Sequence, residues 1–184
     1  MVTSEIQGRL GITTFLSAVD AWLYFGANEP DPGSRPVQFE NIDMRHYLRI
    51  NDGDLIVFIC KGFAATKSHM LIKQDGGLIP LIAAGHFHLP ENARDHFTIR
   101  FSQRVLSEIQ TAHEQPGLRS YPDQLLKMRQ WEDDQCRQAA LEGVKFMPPT
   151  MQWAEESVVS HYAIYDPEIL EWCLIPYEQD THSR

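Results

Sequence analysis

The chain has 184 residues, 43% hydrophobic and 22% charged, with a formal net charge of −9. Those proportions belong to a folded chain with enough apolar matter to bury a core, not to a disordered segment. The acidic balance, with no Lys/Arg cluster anywhere, argues against nucleic acid as the partner, because phosphate binding needs a basic surface.

The length suits one domain over residues 1–184. Thr13 or Thr14 can cap a first helix near residues 13–25, with Phe15, Ala18, Val19, Trp22 and Leu23 on one face and Gly26 at its end. Asp20 interrupts this apolar stretch, which is too short to cross a bilayer, so no membrane span is expected. Asp20, Trp22 and Tyr24 also spoil the apolar core a secretory signal needs. Asn28 to Pro36 is a loop by its prolines and glycine. The apolar positions Ile42, Met44, Tyr47, Leu48 and Ile50 favour a short helix within 39–50.

Asn51-Asp52-Gly53-Asp54 is the sharpest turn signal in the chain, and it leads straight into Leu55-Ile56-Val57-Phe58-Ile59-Cys60. Asn, Asp and Gly accept positive φ, and the run after them reads as a strand buried on both faces. Further strands are expected over 69–73, 78–83 and 97–101, with Gly76-Gly77 turning a hairpin and Pro80 forcing an edge or a bulge. Gly62 to Ser68 reads as a connecting loop after the buried strand. Ser102 caps a helix near 102–114, closed by Pro116-Gly117. Ser120, Pro122 and Asp123 open another near 121–142, with Leu125, Met128, Trp131, Cys136 and Ala139 as its apolar positions. Two last strands, within 158–165 and 169–175, flank Asp166-Pro167. The expected class is α+β: a mostly antiparallel sheet over about 37–102, joined by the hairpin 158–175 and packed with three helices.

Cys60, Cys136 and Cys173 are odd in number, widely spaced and without a C-x-x-C pair. No disulfide framework follows, and a reducing cytoplasm is the expected compartment. Cys60 and Cys173 lie in apolar runs and read as core thiols. Cys136 follows Glu132-Asp133-Asp134, whose charge opposes a thiolate.

Gly85-His86-Phe87-His88-Leu89-Pro90-Glu91 is the best metal-like constellation. In a strand His86 and His88 point to one side, with Glu91 close behind. These seven residues resemble the His-x-His…Glu element of the cupin family, and the resemblance implies a metal held by His86, His88 and Glu91. Tyr162-Ala163-Ile164-Tyr165-Asp166-Pro167 resembles a terminal strand of some ADP-ribosyltransferases, although His161 stands where those enzymes carry an acid. Alternation along that strand would turn Ser160 and His161 to opposite faces. Arg49 to Ile59 resembles the Gly-Asp step of PUA-like barrels, which implies a nucleic-acid or modified-base module.

Every catalytic constellation is incomplete, no catalytic residue is assigned, and no cofactor is indicated. The expected function is therefore a non-catalytic interaction protein of immunity, adaptor or regulator type. Glu132, Asp133 and Asp134 are its candidate contacts to a basic protein partner, with Trp22, Trp131, Trp153 and Trp172 as candidate anchors. The alternatives are a small metal-dependent enzyme at His86, His88 and Glu91, and the PUA-like module.

Overall fold

The computed structural model describes residues 2–6, 9–28, 35–37, 41–91, 100, 102–114, 121–154 and 158–176. β1 (Val2–Ile6) and β2 (Arg9–Phe15) form an opening hairpin, followed by α1 (Ala18–Asn28) and α2 (Met44–Ile50). β3 (Asp54–Ala65), β4 (Met70–Ile72) and β5 (Pro80–His88) come next. α3 (Gln103–His113), α4 (Tyr121–Met128) and α5 (Asp133–Lys145) precede β6 (Thr150–Gln152), β7 (His161–Asp166) and β8 (Glu171–Pro176). The strands make one eight-stranded sheet, in which only the β2–β3 and β4–β6 pairings are parallel. The fold is α+β with a mostly antiparallel sheet. Among the described residues no helix is long and apolar enough to cross a membrane.

The turn at residues 51–53 behaves as its residue types require. Asp52 has φ 54° and Gly53 φ 89°. Asn51 also does something its turn role did not announce. Its side chain accepts from Leu10 N at 3.1 Å and donates to Leu10 O at 2.8 Å, which fixes the start of β2 against the turn. β2 then runs parallel to β3, Ile12 opposite Val57 and Phe15 opposite Cys60.

β3 is longer than its apolar run suggested, because residues 62–65 continue the strand instead of leaving it. A bulge between Cys60 and Gly62 is the reason. Before the bulge β3 lies between β2 and β5; after it, Phe63 to Ala65 pair with β7 where β2 has ended. Gly62 sits at φ 149°, and a Cβ there would stand 3.1 Å from Ala163 O and 3.2 Å from Ile164 Cγ1. Only glycine lets β7 approach this closely.

Alternation along β3 divides the core. Leu55 and Val57 meet Ile12, Tyr47 and Leu48 beneath α2, while Ile59 meets Ile109 of α3. Cys60 and Phe63 join Val19 and Leu23 of α1, and Cys136 and Ala140 of α5, on the other side. The sheet is thus covered by helices from both faces.

Several expected boundaries move. The first helix begins at Ala18, not at 13, because Thr13 and Thr14 extend β2. Ser17 caps it instead: its hydroxyl accepts from Asp20 N at 3.0 Å and donates to Asp20 Oδ2 at 2.7 Å. The helix expected over 121–142 is two helices, since Glu132 is extended at ψ 155° and restarts the chain as the N-cap of α5. The first β1–β2 hairpin and β6 went unforeseen. Pro80 opens β5, where no ladder N–H is needed. Of the strand expected over 97–101, only residue 100 is described, outside any element; residues 97–99 and 101 lie outside the described residues, as does the Pro116-Gly117 stop.

Replacing Gly62 by Ala should cost about 1–3 kcal/mol, from a strained φ and the crowding by β7. Urea unfolding measures it, and an unchanged midpoint would contradict the tight β3–β7 approach.

Candidate functional site

The acidic run occupies the start of α5. Gln135 Oε1 accepts from Glu132 N at 2.9 Å, which closes one half of a capping box. Asp133 and Asp134 fill the first turn, where the helix dipole favours anions. Asp133 Oδ1 accepts from Trp22 Nε1 at 2.9 Å, tying α5 to α1, and the Arg137 guanidinium lies 5.7 Å from the Trp22 ring centre. The three carboxylates therefore serve the helix, yet Glu132, Asp133 and Asp134 are all exposed.

Beside them α1 and α5 leave a shallow groove of about 170 Å³, lined by Trp22, Phe25, Gly26, Arg137, Ala140, Leu141 and Val144. Leu141 is 46% exposed on its rim. Gly143 sets the separation of the two helices here, since a Cβ on it would stand 2.8 Å from Leu23 Cδ2. Of the four tryptophans, Trp22 alone lines this groove; Trp131 and Trp172 pack against the core and Trp153 is exposed at the end of β6.

His86 and His88 do share the exposed side of β5, as strand alternation requires. Their common partner was missed: Asp54, opposite His88 on β3, bonds His88 Nδ1 through Oδ1 at 2.7 Å and approaches His86 Nε2 through Oδ2 at 3.2 Å. The only sequence signal for it was its place in the Asn-Asp-Gly-Asp turn. Glu91 is exposed just past β5, and neither imidazole bonds it among the described residues. Among the described residues no group of three or more His, Cys, Asp or Glu side chains is placed to hold a metal ion. A carboxylate bonded to one ring and close to the other orients the pair, as an outer partner does at metal or proton-transfer sites.

Ser160 Oγ and His161 Nδ1 lie 2.9 Å apart, contrary to the alternation argument. Ser160 precedes β7 and so escapes the strand's two-sided pattern. Among the described residues no carboxylate bonds the ring, so the pair lacks the third group that makes a nucleophile–base set. All three thiols are pushed toward the protonated form. Burial, with Asp20 beside it, pushes Cys60 far up, and burial with Asp133 raises Cys136; Cys173 is raised by burial and Asp166.

Asp20 is itself perturbed: burial lifts its carboxyl to about 6 against the opposing hydrogen bonds of Ser17. A carboxyl raised in the fold favours the protonated native state, so its contribution is complete below about pH 4 and lost as pH rises through 6. Asp20→Asn should therefore be more stable than the wild type at pH 7, by at most about 3 kcal/mol, less for the side chain's residual exposure. The difference should vanish at pH below 4, and thermal unfolding across that range checks it. The bond to Asp54 Oδ1 requires a neutral His88 ring to carry its proton on Nδ1. Long-range nitrogen–proton NMR should show that tautomer, and Asp54→Ala should release the preference.

Comparison with protein-family models, with curated proteins and with solved structures finds no significant match, so the functional reading rests on the chain's own chemistry.

Proposed function

We propose that the chain is a non-catalytic interaction protein whose α1–α5 face receives a basic, amphipathic segment of a protein partner. The observation that carries this reading is the apolar groove between the helices, whose Trp22 is hydrogen-bonded by Asp133 of the exposed acidic run. An amphipathic helix lays apolar side chains into such a groove, and its Lys or Arg residues meet the carboxylates. Trp22 is the anchor of the surface. Its indole is held at one edge by Asp133 and on its face by Arg137, so little freedom is lost when a partner packs against it. The net charge of −9 steers basic partners toward the chain in the same sense.

The test uses a synthetic helical peptide with Leu on one face and Lys on the other, titrated against the protein while Trp fluorescence is followed. Binding should weaken about tenfold in Asp134→Lys and again in Leu141→Ser, and it should fall as salt rises to about 0.5 M. Both positions are exposed, and circular dichroism confirms that the variants fold. Equal binding of a Leu/Glu peptide, or indifference to both substitutions, would overturn the reading.

A further inference from the structure

A larger cavity, about 630 Å³, opens on the other side of Phe25 from the groove. Its volume is that of a site for a small organic ligand. Four parts of the chain line it: the end of β2 and its turn, from Thr13 to Ala18; Ala21 and Phe25 of α1; Pro36, Val37 and Ile42 before α2; and the junction between α4 and α5. Arg129 and Trp131 reach this space from the turn at residues 129–132 that separates α4 from α5.

The chemistry of the lining selects a ligand class. Phe15, Phe25, Trp131, Leu125 and Met128 offer a flat aromatic or aliphatic body its contacts. Two charged side chains reach the space, Arg129 and Asp133, and they are not equivalent. Asp133 already accepts from Trp22 Nε1 and sits in the first turn of α5, where the dipole balances it. Arg129 is exposed, and among the described residues its guanidinium has no hydrogen bond or ion pair. A guanidinium fork without a carboxylate matches an anionic oxygen pair on a ligand. The hydroxyls of Thr14 and Ser17 line the cavity, but they are used within the fold: Thr14 Oγ1 donates to Phe58 O at 3.0 Å, and Ser17 bonds Asp20. They give a ligand little to bind, which leaves Arg129 to fix its polar end.

We infer that this cavity binds a small aromatic anion, a ring system seated against Phe15, Phe25 and Trp131 with its carboxylate or sulfonate on Arg129. The cavity shares Phe25 with the groove, but the inference does not rest on the partner reading.

Anilinonaphthalene sulfonate is the probe, with neutral phenylnaphthylamine as its uncharged counterpart. The wild-type chain should bind one equivalent of the sulfonate with a change in Trp131 emission. Arg129→Met should weaken the sulfonate about tenfold and leave the neutral compound unchanged, the loss expected of one charge-assisted contact. Val37→Trp, at a half-exposed lining position, should block both compounds by filling the space. Lys67→Met, exposed between β3 and β4 and lining neither the groove nor the cavity, should bind both as the wild type does. The inference fails if the wild type binds neither compound. It fails equally if Val37→Trp still binds both, or if Lys67→Met loses the sulfonate as much as Arg129→Met does, since the effect would then be general charge.

Discussion

The arrangement depends on the change of neighbour along β3. One strand edge cannot be paired by two strands in opposite directions unless the first ends where the second begins. Gly62 makes that change possible, because the bulge there bends β3 and the missing side chain admits the β7 backbone. β2 ends at Phe15 opposite Cys60, the chain turns out through Leu16 and Ser17, and α1 is laid across the second half of β3. The groove and the cavity both lie around that exit. α1 meets α5 to make the groove, and the space left between the end of β2 and the α4–α5 junction is the cavity.

The two faces of the molecule differ as a consequence. Toward α1 and α5, a glycine lets side chains close on the helix backbone: Gly143 lies against the Leu23 and Tyr165 side chains, and Trp172 Nε1 donates to Gly143 O at 2.8 Å. At the far end of β3, Asp54 is mostly buried while the two imidazoles it holds are mostly exposed. A buried carboxylate needs bonded partners, and the histidines supply them.

Much of this was legible from residue types with strong local preferences. The turn at 51–53, the buried run after it, the short helix ending at Ile50 and the Asp166-Pro167 turn all follow from φ requirements or from apolar periodicity. Gly76-Gly77 does reverse the chain, but β4 and β5 on either side pair with β3 and not with each other, so the expected hairpin is reduced to the single bridge from Ile72 to Leu78. What was hidden depends on contacts far apart in sequence. Thr13 to Phe15 have the pattern of a helix start, and only pairing with residues 58–60 makes them strand. The break near 130 has no proline or glycine; a fresh cap at Glu132 and the bond from Asp133 to Trp22, over a hundred residues away, decide it. Asp54 looked like part of a turn because its histidine partners are distant along the chain. The acidic run was visible at once, whereas the groove beside it required the packing of α1 on α5.

The most direct test of the central role of β3 is residue-resolved amide hydrogen exchange under native conditions. If the strand unites the two halves of the sheet, the amides of Val57 to Ile59 and of Phe63 to Ala65 should open together, with the slowest exchange in the molecule, and the buried residues of α1 and α5 should follow the same opening. Separate opening of the segments before and after Gly62, with α1 and α5 following only the second, would contradict it.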